Sequence, residues 1–284
     1  MINEIDIMYH YCSLETFMKV LVTNRIWLSH VQTTNDALDD RMFLSSLERV
    51  VKKHKGDELF NNNLLEKMAL TYAQKVDFPY IACFTRNKNL LSQWRAYGDD
   101  GKGVCIGFDL SKFSCFDLMH VKYGHEQPLV QIDEVCYHDN DDELIEKFLS
   151  VSTILKEKHN CSSEEKILSM LMCGLEELSV YLKGEGFSEE EEIRMVYYPC
   201  YRELLANLSQ IKLPQINGLP IHFRSKNSKL ISYFEYPLPE DSICEIVLGP
   251  KSEVDFNQLT LFLNQYAPKI RREKKISYSS ISYR

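Results

Sequence analysis

Two continuous apolar runs of strand length frame the middle of the chain. They cover residues 80–84 and 104–108, and turn residues bound each of them. Uninterrupted apolar runs of this length are typical of strands that are buried on both faces. The pattern therefore predicts that both segments lie in one central sheet, as neighbouring or adjacent-layer strands.

Two aromatic residues stand between these strands, on a predicted helical turn. Trp94 and Tyr97 are three positions apart, so on a helix they share one face. The glycine-bearing turn at 98–103 follows directly. One interpretation is that the two rings floor a ligand pocket above this turn. The other is that both are core aromatics, since such side chains dominate core packing.

The rest of the chain alternates between strand and helix patterns. Helical spacing of apolar residues predicts helices at 40–75 and 256–266, and a helix after Ser13, which is typical of an N-cap. Strands are predicted at 7–12, 26–28, 121–123, 134–137, 221–224, 230–234, 244–248 and 275–283. The segment 187–197 is a polar lead-in to a further strand, on which Glu190, Glu192 and Arg194 would share one face because side chains alternate. Two amphipathic helices within 143–182 predict a helical insertion or subdomain. We therefore expect one α+β domain over 1–284, with a partly antiparallel central sheet covered by helices.

Net charge and hydropathy limit the possible partners. The chain of 284 residues has a formal net charge of −8, which argues against broad, sequence-independent nucleic-acid binding. A local basic patch stays open, and the run at 269–275 is one such segment, although it is also typical of a solvated helix end. No apolar run approaches the roughly 20 residues of a membrane helix, and the N-terminus lacks the basic region of a signal peptide. We expect a cytoplasmic protein without a membrane partner.

Cysteine and histidine positions favour reduced thiols over metal binding. The chain has nine cysteines, an odd number, and most lie inside apolar segments without any CxxC pair. We expect all nine to be reduced. Four residues of metal-binding type do cluster in the middle of the chain, namely His120, His125, Cys136 and His138. Their spacing matches no structural zinc site, so we expect no metal.

Several short motifs together resemble a bacterial family catalogued as a domain of unknown function. They are His10-Tyr11-x-Ser13, Asn35-Asp36, Cys83-Phe84, Trp94-x-x-Tyr97, the segment 102–108, Glu190-x-Glu192-x-Arg194 and the segment 246–250. The resemblance spans most of the chain. Membership of that family implies no established activity.

A more remote similarity concerns the order of three residue types. A histidine in the first strand, a tyrosine in a glycine-bearing central segment and a glutamate in a later strand resemble the pattern of ADP-ribosyltransferase-like folds. The resemblance implies NAD as the substrate. Glu192, or alternatively Glu190, would stabilise the ribose cation that forms when nicotinamide leaves.

The same resemblance implies roles for residues that would hold the nucleotide. His10, beside Tyr11, would bond the adenosine-side ribose, and Ser13 would bond the carboxamide. Tyr97 or Trp94 would stack on the nicotinamide ring. The simpler interpretations are a strand histidine with satisfied hydrogen bonds and an acidic run that leads into a strand.

Two classes of function therefore follow from the sequence. The first is an NAD-using transferase or glycohydrolase, as in a bacterial toxin or a phage-defence effector, with an acceptor macromolecule that the sequence does not identify. The second is a non-catalytic module that binds a nucleotide or a protein. Convergence of His10, Tyr97 and Glu192 in one site would favour the enzyme. Separation of these side chains would favour the binding module.

Overall fold

The strands and helices were located in a computed structural model. It describes residues 6–33, 37–54, 66–67, 70, 79–113, 130–138, 142–149, 174–175, 178–199, 219–226, 228–272 and 275–283. The strands are β1 (Ile7–Cys12), β2 (Arg25–His30), β3 (Tyr80–Thr85), β4 (Val104–Asp109), β5 (Gln131–Glu134), β6 (Cys136–Tyr137), β7 (Leu182–Lys183), β8 (Glu192–Tyr197), β9 (Ile221–Lys226), β10 (Lys229–Pro237), β11 (Ile243–Leu248) and β12 (Ile276–Tyr278). The helices named here are α1 (Leu14–Thr23), α2 (Ala37–Lys53), α3 (Leu91–Ala96), α4 (Phe256–Tyr266) and α5 (Pro268–Arg272). Residues 142–149 and 178–181 are also helical.

Ten of these strands form one mixed, mostly antiparallel sheet. Its main path runs β12-β11-β4-β1-β3-β2-β10-β9, and β8 and β5 extend it from β3. The predicted α+β class and the central sheet are thus confirmed. The two apolar runs, now β3 and β4, lie in this sheet with β1 between them.

Strand β3 has three neighbours, which divides the sheet. Along one edge it pairs with β8 over its full length. On its other edge it pairs with β2 at Tyr80 and Ile81, and with β1 at Thr85. Since β1 and β2 share this edge, they diverge from each other between these contacts. One half of the sheet continues through β4 and β11, and the other through β10 and β9.

Helices α1 and α4 cover one face of the sheet. We call this the α1 face, and it carries Met8, Phe84 and Ile106, which pack with residues of both helices in the largest buried cluster. Ser13 caps α1 as predicted, because its hydroxyl accepts a hydrogen bond from the Thr16 amide at 3.2 Å. Helix α4 matches the predicted range at both ends.

Helix α2 belongs to a second, smaller buried cluster. Its Phe43 and Leu47 pack with Ile145 and Leu149 of the helical residues 142–149. The predicted helix at 40–75 is thus confirmed as far as Lys53. The described parts of 143–182 include helix, and whether that segment is a subdomain stays a prediction. The strand predicted at 121–123 lies outside the described residues.

None of the five described cysteines forms a disulfide; they are Cys12, Cys83, Cys105, Cys136 and Cys244. None of the described helices is long and apolar enough to cross a membrane.

Glycine is required where the turn at 98–103 meets the end of β1. A Cβ on Gly103 would lie 2.2 Å from the carbonyl oxygen of Cys12, which is backbone and cannot turn away. We therefore expect Gly103→Ala to lower the free energy of unfolding by about 1–3 kcal/mol, the usual cost of overpacking. Chemical denaturation measures this change.

Gly186→Ala is the matched control, because a Cβ there would have no neighbour within 4 Å. Its effect on the free energy of unfolding should stay within about 0.5 kcal/mol. Equal stability of the two variants would contradict the close approach of the turn to β1.

Candidate functional site

The pairing of the strands decides which predicted site residues can meet. Residues directly opposite each other on adjacent strands point to the same face of a sheet. Thr85 lies opposite Tyr9 on one side and opposite Glu192 on the other. Glu192 therefore lies on the face that Tyr9 and Tyr11 occupy, which we call the tyrosine face. His10 follows Tyr9 and points to the α1 face.

His10 holds the strands together where β1 leaves β3. Its Nδ1 donates to the carbonyl oxygen of Cys83 at 2.9 Å, and its ring lies 5.5 Å from the ring of Phe84. A carbonyl only accepts, so Nδ1 carries the proton. Burial lowers the pKa of His10, although the bond to the Cys83 carbonyl opposes this shift. The neutral imidazole of His10 thus donates the hydrogen bond that a backbone N–H of a neighbouring strand would otherwise donate to Cys83 at this edge of β3.

Glu192 lies in a buried cluster of charges on the tyrosine face. Arg194 donates two hydrogen bonds to its carboxylate, from Nε to Oε1 at 2.8 Å and from Nη2 to Oε2 at 3.2 Å. Lys183 donates to the same Oε2 at 2.9 Å. The side chains of Glu192, Arg194 and Lys183 are only 5%, 1% and 3% exposed. Two cations therefore surround this carboxylate at close range.

Glu190 joins the same cluster from a neighbouring turn. It ends the 3-10 helix Glu185–Glu190, and its Oε2 accepts from Lys183 at 2.7 Å. Glu191 then adopts a left-handed conformation with a φ of 43°. The expected alternation of Glu190 and Glu192 along one strand is wrong for this reason, since β8 begins only at Glu192. Lys183 brings the two carboxylates together instead.

The cluster fixes the ionisation of Glu192. Burial alone would raise its pKa, but the charge and hydrogen bonds of Arg194, the charge of Lys183 and a bond from Cys83 outweigh it. The result is a pKa of about 2. With two acids and two cations the cluster is close to neutral, which is the usual condition for buried charges.

The remaining predicted residues of the first strand and its cap have structural partners. The hydroxyl of Tyr11 donates to the carbonyl of Asn87 at 2.8 Å and accepts from the Leu90 amide at 3.1 Å. The hydroxyl of Ser13 caps α1. Tyr11 therefore ties β1 to the loop before α3, on the face opposite His10.

Trp94 and Tyr97 do not form a common surface. Trp94 is fully buried and packs edge-on against Tyr11, with ring centroids 4.8 Å apart. Tyr97 is 37% exposed and follows the last residue of the short helix α3. The core interpretation thus holds for Trp94, while Tyr97 reaches the surface.

A site that the sequence analysis missed lies on the tyrosine face at β2, β10 and β9. The guanidinium of Arg224 stands 5.0 Å from the ring of Trp27 and 5.7 Å from that of Tyr233. Its Nη2 donates to Ser29 Oγ at 2.9 Å. The ring of His222 lies 5.5 Å from Tyr233 and is inclined to it by 31°. We call Trp27, Tyr233, His222 and Arg224 the aromatic platform.

The sequence contains only a weak indication of the aromatic platform. His222 and Arg224 alternate on one strand, and no Asp or Glu occurs from 219 to 234. The strand register places Tyr233 opposite both His222 and Ser29, which brings the three strands' side chains together. That register depends on pairing between β2 and β10, some 200 residues apart in the chain, so local patterns do not reveal it.

Arg224 differs from Arg194 in its electrostatic partners. Within the described ranges it forms no ion pair, and its buried Nε has no hydrogen-bond partner. Burial lowers its pKa, and the neighbouring Tyr233 opposes that shift. A guanidinium held on two rings without a counter-ion can bind an anion. Across those same ranges, no group of three or more His, Cys, Asp or Glu could hold a metal ion.

Comparison with known proteins finds a family similarity in the central part of the chain. The model of a family described as a protein of unknown function (DUF2971) matches residues 93–195. The match covers β4 and parts of α3 and β8, and it includes Trp94, Tyr97 and Glu192. The chain is thus similar to an uncharacterised domain family over this central region. No curated protein and no solved structure gave a significant match.

The charge cluster predicts a specific pH dependence. Since the pKa of Glu192 in the folded state lies below the ordinary 4.5, its ionised form stabilises the protein above about pH 5. That contribution is lost as the pH falls toward 2. We expect Glu192→Gln to lower the free energy of unfolding by on the order of 3 kcal/mol at pH 7. The difference from wild type should shrink steadily below pH 4.5.

Denaturation curves of both proteins between pH 7 and pH 2.5 measure this effect. Glu15→Gln is the control, because Glu15 forms an exposed i,i+4 pair with Lys19 at 2.7 Å. Its effect should be small at every pH. A pH-independent loss in Glu192→Gln would contradict an ion cluster at this position.

Proposed function

We propose that this protein is a non-catalytic nucleotide-binding module and that the aromatic platform is its binding surface. The observation that carries the proposal is the guanidinium of Arg224, stacked on Trp27 and Tyr233 without a carboxylate partner among the described residues. A nucleotide offers a partner for both parts of this surface. Its phosphate can pair with the guanidinium, and its base can stack on the aromatic rings. The known family match neither supports nor opposes this ligand.

The phosphate would complete the hydrogen bonding of Arg224. Of the described residues, Ser29 is the acceptor that bonds the guanidinium. A guanidinium has five N–H donors, and its planar fork matches two oxygens of a phosphate. A partly desolvated cation without a counter-ion is costly, so an incoming anion gains more there than on an open surface.

The base would stack on the rings of the platform. The ring centroids of Trp27 and Tyr233 are 5.0 Å apart, and the ring of His222 on the outer strand β9 is inclined by 31° to that of Tyr233. All three side chains are partly exposed. Stacking of one base on an aromatic side chain contributes about 1–3 kcal/mol. The platform therefore offers stacking and charge within one patch of three strands.

The second candidate function is an NAD-using transferase or glycohydrolase. One observation favours it, the convergence of Glu190 and Glu192 on Lys183, which keeps two ionised carboxylates together. Two observations weigh against it. His10 points to the opposite face of the sheet, and Arg194 already occupies both oxygens of Glu192. A catalytic carboxylate must instead be available to the ribose.

Nucleotide binding by the purified protein tests the proposal. We expect AMP, ADP-ribose and NAD each to bind in calorimetry and to raise the melting temperature. Arg224→Gln should weaken binding about 10–100-fold, because a charge-assisted hydrogen bond contributes about 1.5–3 kcal/mol. Arg25→Gln is the matched control. Arg25 lies on β2 and its Nη1 donates to the Glu235 carbonyl at 3.3 Å, so binding should be unchanged.

Nicotinamide release from NAD separates the two classes of function. We expect no release above the buffer rate by wild type, with protein or nucleic-acid acceptors supplied. Release that Glu192→Gln abolishes would establish the transferase or glycohydrolase instead. Absence of binding by all three nucleotides would refute the module.

A further inference from the structure

A carboxylate stands beside the rings of the aromatic platform. Glu235 lies directly opposite Trp27 in the register of β2 and β10. It is also two residues from Tyr233 on β10, so its side chain points to the same face of the sheet as both rings. The side chain is partly exposed. A group that accepts hydrogen bonds is therefore present where a stacked base would place one of its edges.

The strand register separates Glu235 from the position of Arg224. Arg224 lies opposite Ile231, and Tyr233 lies between Ile231 and Glu235 on the same face of β10. The four residues from Ile231 to Glu235 span about 13 Å along a strand. The Arg224 guanidinium bonds Ser29, and in the part of the chain that the structure describes it forms no ion pair with Glu235. The platform thus presents a cation and a carboxylate to a ligand as separate groups.

Two other cations near Trp27 bond to groups other than the Glu235 carboxylate. Arg25 Nη1 donates to the backbone carbonyl of Glu235 at 3.3 Å. The Lys19 ammonium lies 5.4 Å from the centroid of the Trp27 ring and pairs with Glu15 at 2.7 Å. Among the described residues, no side chain donates a hydrogen bond to the Glu235 carboxylate. A partly buried carboxylate is stabilised by such donors, so a ligand with N–H groups gains free energy there.

The Watson–Crick edge of guanine is complementary to a carboxylate. An ionised carboxylate only accepts, and its two oxygens can accept side by side. Guanine presents two adjacent donors, the N1–H and the 2-amino group, whereas adenine presents its amino donor next to an acceptor, N1. The lone pair of that acceptor would face a carboxylate oxygen. A carboxylate next to a stacked purine therefore favours guanine over adenine.

We propose that Glu235 makes the aromatic platform selective for guanine nucleotides. Its two oxygens accept from the N1–H and the 2-amino group of a base that stacks on the rings, while Arg224 binds the phosphate. This inference rests on the proposed nucleotide binding and names the class of nucleotide. AMP retains the phosphate and stacking contacts, so it binds more weakly than GMP.

Calorimetry of the purified protein with three purine nucleotides tests the preference. We expect GMP to bind about 10–100-fold more tightly than AMP, the discrimination that one bidentate contact to a base supplies. IMP keeps the N1–H but lacks the 2-amino group. Its affinity should therefore lie between those of GMP and AMP.

The variant Glu235→Gln should reverse the preference. A carboxamide places a donor beside one of the guanine donors, so GMP should bind at least about tenfold more weakly than to wild type. The same carboxamide pairs with adenine by one donor and one acceptor, so AMP should bind more tightly than to wild type. Glu253→Gln is the control, because Glu253 is exposed in the loop before α4. Its removal of one negative charge should leave the ratio of the two affinities unchanged.

The outcomes separate this inference from the proposed function. Equal affinities of wild type for GMP and AMP, both weakened in Arg224→Gln, would refute the guanine preference and leave the nucleotide module in place. Absence of binding by every nucleotide would refute both. A preference for GMP that persists in Glu235→Gln would overturn the role of Glu235.

Discussion

The edge of β3 that β1 and β2 share is the constraint on which the rest of the structure depends. A strand edge is normally occupied by one partner along its length, and here it is divided between two. Buried backbone carbonyls need a hydrogen-bond partner. His10 supplies one to Cys83 where β1 has already diverged. The division directs β2 toward β10 and β9, and thereby brings Trp27 beside Tyr233 and Arg224.

Two arginines on the same face of the sheet have opposite surroundings. Arg194 is almost completely buried and its charge is balanced by Glu192 within 3 Å. Arg224 is partly exposed, stacks on two aromatic rings and has no acidic partner in the described ranges. Buried ion pairs hold a structure in place, whereas an accessible cation without a counter-ion attracts a ligand. This difference is why we propose a binding surface at Arg224 and not at Glu192.

The sequence predicts the regular elements well where one local signal dominates. The continuous apolar runs became β3 and β4, and the capped helical pattern became α1, because burial and capping both act over a few residues. The closing strand predicted at 275–283 is shorter, Ile276–Tyr278. Beyond it Ser279 bonds Asn89 and Tyr283 bonds Asp100, so side-chain contacts hold that segment in place of a strand ladder.

The candidate sites were less predictable because they depend on distant pairing. The motif with Glu190, Glu192 and Arg194 was visible, but the role of Lys183 and the left-handed Glu191 was not. Trp94 and Tyr97 share a helix face only if the helix continues, and α3 ends at Ala96. The aromatic platform combines residues from three strands that meet only in the folded sheet.

A crystal structure of the complex with AMP tests the central claim most directly. The account predicts that the base lies against the rings of Tyr233 and Trp27, with phosphate oxygens within hydrogen-bond distance of Arg224. Glu192 should keep its bonds to Arg194 and Lys183. AMP bound at an opened Glu192 cluster, with Arg224 still stacked and without a new partner, would contradict it.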